Sequence, residues 1–206
     1  GSTKIGENDD WAGTGALVRT FADVGAFPYA APNSKDAAIF IPAISSGSYS
    51  VRVTGNGTVG TVIAELYDST PAAAFTATTP RLVNVSVLKQ IGSGFTVGFV
   101  IGGGTTRTVL VRAVGPGLAV VGVASGFVSD PRLTLFAGST KINENEDWGG
   151  GVALTAAFAQ VGAFVIPAAS RDAALVATLQ PGAYTAQVSG PEGSNGLVLV
   201  EVYEVP

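Results

Sequence analysis

The chain contains an internal repeat, and this repeat constrains its fold more than any other feature of the sequence. The stretch at residues 1–11, Gly-Ser-Thr-Lys-Ile-Gly-Glu-Asn-Asp-Asp-Trp, returns at residues 138–148 with changes at only two positions. The likeness continues downstream, so that residues 1–70 and 138–206 are two copies of one segment. Residues 81–137 have no second copy. Because an internal repeat decides an architecture before any local motif does, the chain is predicted to hold about one and a half structural units.

The repeat divides the chain into three predicted parts. Residues 1–70 are an N-terminal half-unit, residues 71–80 a linker within the stretch 68–80, which is rich in Ser, Thr, Ala and Pro, and residues 81–206 a complete β-sandwich unit. A linker of this composition is extended and buries little apolar surface. Phe75 is its large apolar residue.

Local patterns predict the fold class. Short apolar runs broken by Gly or Pro are typical of an all-β protein with many tight turns. Leu17, Phe21 and Val24 have helical spacing, and Gly25 follows where a glycine ends a helix. The C-terminal copy repeats this arrangement, so we predict antiparallel β-sandwich modules with one short helix per repeat. Strands are predicted at residues 1–5, 37–41, 49–54, 59–67, 82–87, 95–101, 108–114 and 133–136, with a hairpin turn at 55–57.

The residue types that the chain lacks exclude several kinds of chemistry. It contains no His, Cys or Met, so it has no imidazole base, no thiolate nucleophile and no soft metal ligand. We therefore expect no catalytic residues and no enzymatic activity. A net charge of −4 with eleven scattered Lys and Arg argues against a nucleic-acid partner, because phosphate neutralisation needs clustered basic residues. No apolar run reaches the roughly 20 residues that span a bilayer, so membrane insertion is not expected.

Two acidic loops offer ligands for a hard cation. They contain Glu7, Asn8, Asp9 and Asp10 in the first copy, and Asn145, Glu146 and Asp147 in the second. Calcium takes about six to eight oxygen ligands, and Ca²⁺ is the one cofactor that the sequence leaves open. The alternative interpretation is a solvated turn in which Asn and Asp cap the helix that follows.

One tryptophan follows each acidic loop. Trp11 and Trp148 are interpreted as lids over the two apolar cores, and the alternative is a platform on which a sugar ring stacks. Carbohydrate is therefore left open as a partner, although no motif supports it.

Several stretches of the chain resemble a known kind of module. They are residues 81–86 (Arg-Leu-Val-Asn-Val-Ser), 98–103 (Gly-Phe-Val-Ile-Gly-Gly), 109–116 (Val-Leu-Val-Arg-Ala-Val-Gly-Pro), 145–148, 161–164, 172–175 and 181–190. Together they resemble a module repeated in large exported proteins of Verrucomicrobia-like bacteria. They are also loosely similar to the calcium-associated β-sandwich modules appended to secreted bacterial peptidases. The resemblance implies tandem β-sandwiches at the cell surface or outside the cell, with no catalytic residues to carry over.

The unmatched half-unit suggests a function. Residues 1–70 carry apolar strand sequences without the partner strands of the complete unit, and open strand edges associate with other chains. The residues predicted to mediate this assembly are Val51, Val53, Val62, Ile63, Leu66 and Phe75. The first hypothesis is a structural subunit of an extracellular polymer, joined by β-strand complementation between neighbouring chains or neighbouring repeats. The alternatives are an adhesion or binding module of a long tandem-repeat surface protein, and an accessory domain of a secreted enzyme.

Overall fold

The computed structural model describes residues 3–55, 57, 60–92 and 94–206. The chain divides into two compact units, Gly1–Leu82 (unit 1) and Val83–Pro206 (unit 2), and each is described by itself. Part of the predicted hairpin turn at 55–57 and the start of the predicted strand at 59–67 lie outside the described residues. No helix in the described part of the chain is long and apolar enough to cross a membrane.

The secondary structure lies mainly in unit 2. Unit 1 contains helix α1 (Gly15–Val24) and a 3₁₀ turn (Ala72–Ala74). Unit 2 contains β1 (Asn84–Ile91), β2 (Phe95–Ile101), β3 (Arg107–Val114), a 3₁₀ turn (Pro116–Val121), β4 (Arg132–Ala137), β5 (Thr140–Asn145), α2 (Val152–Val161), β6 (Ala173–Leu179), β7 (Gly182–Ser189) and β8 (Gly196–Val205). The four strands predicted between residues 82 and 136 are all present, the one at 95–101 with the predicted limits and the other three with shifted ends.

Unit 2 is an antiparallel β-sandwich with a helix on one face. Its strands form two four-stranded sheets, ordered β1-β8-β3-β6 and β2-β7-β4-β5, and every ladder is antiparallel. Side chains such as Val111 and Leu135 fill the space between the sheets, and Leu110 packs with Phe158 of α2 on the outer face. β3 is therefore buried on both faces. The predicted fold class, all-β with antiparallel sandwich modules and one short helix per repeat, is confirmed.

The two halves of unit 2 interleave completely. β1–β4 come from residues 83–137, here named the central segment, and β5–β8 come from residues 138–206, the C-terminal half-unit. Each ladder joins one strand of the central segment to one strand of the C-terminal half-unit. The C-terminal half-unit thus has no ladder of its own, and it forms sheets only because the central segment supplies the strands between.

The sheet predicted within residues 1–70 is wrong for this chain. None of the described residues of unit 1 forms a strand, including those of the predicted strands at 37–41 and 49–54. The reason is the interleaved topology: strands equivalent to β6, β7 and β8 need central-segment partners, and the central segment present in the chain is paired within unit 2.

The residues of the N-terminal half-unit that were predicted to mediate assembly are exposed. Their exposed fractions are 73% for Val51, 53% for Val53, 65% for Val62, 71% for Ile63 and 55% for Leu66. Phe75 is 43% exposed, so the linker does not bury its phenyl ring either. An open apolar surface of this kind is typical of a binding interface.

Candidate functional site

A buried arginine joins the two halves of unit 2. Arg112 of β3 is fully buried, and its Nε and Nη2 donate to Oε2 of Glu201 on β8, the Nε bond being 2.8 Å long. Its Nη1 donates to the carbonyl of Phe164 at 2.7 Å. The guanidinium carbon also lies 4.7 Å from the ring centre of Phe158 and 4.5 Å from that of Phe164. A buried charge is tolerated only when it is paired and hydrogen-bonded in this way.

Glu201 is held by further donors. The Tyr203 hydroxyl donates to its Oε1 at 2.6 Å, and the Ser86 hydroxyl of β1 donates to the same atom at 3.4 Å. Burial raises the pKa of Tyr203, and the carboxylate of Glu201 raises it further because a phenolate beside it would be repelled. Tyr203 therefore remains a hydrogen-bond donor at any ordinary pH.

A second buried carboxylate fixes the turn that follows β3. Asp172 is fully buried and accepts from the backbone N–H of Gly115 at 2.7 Å and of Gly117 at 2.9 Å. The Ser170 hydroxyl donates to it at 2.6 Å. A Cβ at Gly117 would lie only 2.7 Å from Oδ2 of Asp172, so a glycine is needed for the backbone to approach this carboxylate.

These contacts define two locks between the halves of unit 2. The arginine lock joins Arg112 to Glu201, and the glycine lock joins Gly115 and Gly117 to Asp172. In both, the central segment provides the donors and the C-terminal half-unit provides the carboxylate. The donors of both locks thus lie within the six residues 112–117.

The N-terminal half-unit preserves the carboxylate side of both locks. Asp36 occupies the place of Asp172, and Glu65 the place of Glu201. The hydrogen bonds internal to each half-unit recur in the other. The backbone N–H of the tryptophan donates to the carbonyl of the aspartate, from Trp11 to Asp36 at 2.9 Å and from Trp148 to Asp172 at 2.8 Å. A serine hydroxyl donates to the side chain of the same aspartate, from Ser34 to Asp36 and from Ser170 to Asp172. A tyrosine hydroxyl donates to the glutamate, from Tyr67 to Glu65 at 3.0 Å and from Tyr203 to Glu201 at 2.6 Å.

The aromatic surroundings recur as well. Phe21 and Phe27 stand at the positions of Phe158 and Phe164, the two rings that flank Arg112. Trp11 lies 5.6 Å from Phe21 between ring centres, and Trp148 lies 5.1 Å from Phe158. The N-terminal half-unit thus has the carboxylate acceptors and the aromatic rings of both locks. It lacks the donors, which in unit 2 belong to the central segment.

The two carboxylates of the N-terminal half-unit are accessible. Asp36 and Glu65 are exposed, whereas their counterparts are buried. In the described part of unit 1, Glu65 receives the hydroxyl of Tyr67 but takes part in no ion pair. Burial raises the pKa of Tyr29, and the charges of Asp36 and Glu65 raise it further, so both carboxylates lie near enough to act on one phenol. Glu65 and Glu201 lie among apolar residues in the sequence, a pattern that predicts strand positions but does not by itself indicate a role in a lock.

The acidic loops proposed for calcium have a structural role in the described chain. Oδ1 of Asn8 accepts from Ala38 N at 2.9 Å, and Oδ1 of Asn145 accepts from Ala174 N at 2.9 Å. Each asparagine also donates through Nδ2 to a carbonyl two residues ahead in its own loop. The asparagines therefore clamp each loop to the segment that follows helix α1 or α2.

The acidic side chains of these loops are spread over the surface. Glu7 pairs with Lys4 at 2.6 Å, and Asp10 pairs with Lys35 at 2.6 Å. The hydrogen bond and the charge of Lys4 hold the pKa of Glu7 below its usual value. Asp9, Glu146 and Asp147 are exposed. Among the described residues, no group of three acidic side chains is placed to hold a metal ion.

Calcium binding stays a prediction, and chelation tests it. A bound ion stabilises only the folded state, so EDTA is expected to lower the melting temperature of the full chain by several degrees and excess Ca²⁺ to restore it. Asn145→Ala should lower the stability of unit 2 with or without EDTA, because the clamp to Ala174 is lost. A melting temperature that EDTA leaves unchanged would reject calcium and leave the clamp as the role of the loop.

Both tryptophans are buried. Trp148 belongs to the apolar core that contains Leu110 and Phe158, as the lid interpretation predicts, whereas Trp11 packs against Phe21 and Tyr29. Trp11 is 5% and Trp148 6% exposed. Their indole N–H groups donate to the carbonyls of Ala31 at 3.1 Å and Pro167 at 3.0 Å. Neither ring face is open enough for a sugar to stack on it, so a carbohydrate would have to be bound elsewhere.

Comparison with known proteins adds little beyond the fold class. No protein-family model and no curated protein matches the chain. A crystal structure of the pre-peptidase C-terminal domain of collagenase from Bacillus anthracis aligns with 10% identity and a TM-score of 0.37, covering 58% of this chain and 89% of that domain. A family 35 carbohydrate-binding module from Clostridium thermocellum aligns with 10% identity and a TM-score of 0.30, covering 58% of this chain and 90% of that module. Both likenesses are too weak to carry an argument about function, and the bacterial origin inferred from the sequence stays a prediction.

Proposed function

We propose that this chain is a non-catalytic binding module of an extracellular or cell-surface protein built from tandem β-sandwich units. In this proposal the N-terminal half-unit is the part that binds, and what it binds is a set of β-strands supplied by another segment. The observation that carries the proposal is the interleaving of unit 2, in which each strand of the C-terminal half-unit pairs only with strands of the central segment. The N-terminal half-unit repeats that sequence and leaves the corresponding surface open.

A count of the parts favours the tandem module over the homopolymer. The chain contains two half-units, residues 1–70 and 138–206, but only one central segment. Strand exchange between copies of these 206 residues moves central segments without adding any, so one half-unit per copy would stay open. A tandem array in which each half-unit has its own central segment leaves none open. The fibre built by strand complementation between identical chains is therefore the weaker hypothesis.

The chemistry of the ionisable groups supports binding without catalysis. The deeply buried charges, Arg112, Asp172 and Glu201, are all used to hold the two halves of unit 2 together. The location outside the cell rests on the resemblance of residues 81–206 to modules of exported proteins.

A fusion tests the proposed function directly. A second copy of residues 83–137 placed immediately before Gly1 recreates the Ala137–Gly138 junction, because Gly1 corresponds to Gly138. We expect backbone amides within residues 37–67 to become protected from hydrogen–deuterium exchange in this fusion, while those of the unmodified chain exchange rapidly. The control is a Gly/Ser extension of equal length.

The outcomes separate the hypotheses. Protection that appears only with the added central segment supports the tandem module. Protection already present in a monomer of the unmodified chain would mean that the N-terminal half-unit is self-sufficient, and would reject the proposal. Regular filaments of the unmodified chain, seen by negative-stain microscopy, would favour the fibre instead.

A further inference from the structure

The N-terminal half-unit is not only an open apolar surface, because its polar groups specify what can bind there. Any segment that pairs with residues 37–67 must satisfy or bury the carboxylates of Asp36 and Glu65, which are exposed in the described structure. Burying either carboxylate without a donor would be costly. Asp36 and Glu65 therefore require particular hydrogen-bond donors from the partner strand, which restricts its polar groups more than the exposed apolar surface restricts its apolar side chains.

Unit 2 shows which donors meet these requirements. The carboxylate that corresponds to Glu65 receives the guanidinium of Arg112, and the one that corresponds to Asp36 receives the N–H groups of Gly115 and Gly117. All these donors lie within six consecutive residues, with the sequence Arg-Ala-Val-Gly-Pro-Gly.

The geometry of the turn limits the residue types further. A Cβ at Gly115 would lie 2.0 Å from the carbonyl oxygen of Val128, and a Cβ at Gly117 would lie 2.5 Å from Ile166. Val128 belongs to the central segment itself, so Gly115 is needed for the turn to fold, whereas Ile166 belongs to the C-terminal half-unit, so Gly117 is needed for the turn to dock. The guanidinium also lies between two phenyl rings, and Phe21 and Phe27 of the N-terminal half-unit stand at the equivalent positions.

We propose that the N-terminal half-unit is a receptor for a β-strand that carries an arginine followed, after two residues, by Gly-Pro-Gly, supplied by a further copy of the central segment. This inference rests on the proposed function and names the partner. Glu65 receives the arginine, with Phe21 and Phe27 flanking it, and Asp36 receives the glycine amides. A guanidinium is required because its planar fork directs two N–H groups at the carboxylate while its faces stack on the two rings, and the compact ammonium of lysine has no flat face to stack.

Carboxylate substitutions in the fusion test this receptor. In the chain with the added central segment, Glu65→Gln and Asp36→Asn are each expected to lower amide protection within residues 37–67 by on the order of 100-fold, because a buried donor loses its charged acceptor. Protection in unit 2 should not change. The matched control is Glu7→Gln, which removes the same charge from an exposed side chain outside the receptor.

The same substitutions in the unmodified chain separate recognition from local structure. There Asp36 and Glu65 are exposed, so both substitutions should leave exchange nearly unchanged. In the fusion, replacing the added copy's arginine with lysine should also lose most of the protection, whereas the added copy with its native arginine keeps it.

The results discriminate between the two proposals. A fusion that never protects residues 37–67 rejects the proposed function and this inference with it. A fusion that is protected but as insensitive to Glu65→Gln and Asp36→Asn as to Glu7→Gln rejects the receptor alone. Protection in a strand-exchanged dimer of the unmodified chain would also overturn it, because the donor would then not be a further central segment.

Discussion

Arg112→Met is expected to lower the free energy of unfolding of unit 2 by about 3 to 5 kcal/mol, the usual cost of removing one partner of a buried ion pair. Methionine nearly fills the space of the arginine stem but leaves Glu201 charged and buried with fewer donors. It also leaves the carbonyl of Phe164 without the donor that it has at 2.7 Å. Urea unfolding followed by far-ultraviolet circular dichroism measures this loss, because the strands that dominate the signal lie in unit 2.

The same strand provides a matched control. Arg107, at the start of β3, lies 3.4 Å from Glu204, but its side chain is 45% exposed. Solvent screens such a pair, so Arg107→Met should cost less than about 1 kcal/mol. Adding Glu201→Leu to Arg112→Met should recover part of the lost stability, because the uncompensated charge is then removed. Equal effects of Arg112→Met and Arg107→Met would show that the buried pair does not hold the halves together.

The local sequence predicted the strands of unit 2 well because their partners are present. Residues 95–101 were predicted as a strand and form β2 with the same limits. The helices were predicted from the spacing of Leu17, Phe21 and Val24 and from the glycine that ends each helix, and both Gly25 and Gly162 have a positive φ of 70°. These features depend on short-range patterns that sequence alone contains.

Residues 49–54 illustrate where local patterns fail. They alternate in the same way as their counterparts in β7, yet they form no strand. The alternation states which face of a strand is apolar, but a strand exists only when a neighbour accepts its backbone hydrogen bonds. The interleaved order of the sheets joins residues such as Ser86 and Glu201, which are far apart in the sequence, and no local pattern contains that information.

The locks could have been found in part. Arg112 interrupts the apolar run at residues 109–114, and a charge in a strand buried on both faces requires a partner. Glu65 and Glu201 recur at equivalent places among apolar neighbours, which was visible in the repeat. The role of Asp172 could not be predicted, because its donors are backbone N–H groups that only the folded turn brings to it.

Asp172→Ala is expected to lower the free energy of unfolding of unit 2 by about 3 to 5 kcal/mol, because it leaves the amides of Gly115 and Gly117 buried without an acceptor at roughly 1 to 3 kcal/mol each. The Ser170 hydroxyl loses its acceptor as well.

The repeat supplies the control for this substitution. Asp36→Ala changes the matching residue in the matching sequence, Ser-Lys-Asp-Ala-Ala against Ser-Arg-Asp-Ala-Ala. Asp36 is exposed, so this change should leave the urea midpoint of the full chain almost unaltered. If both alanine variants lower the midpoint equally, Asp36 is already engaged in the unmodified chain and the glycine lock of the N-terminal half-unit is closed. If only Asp172→Ala lowers it, the aspartate stabilises the half-unit that is paired with a central segment. Its equivalent, Asp36, then contributes no stability in the half-unit that lacks one.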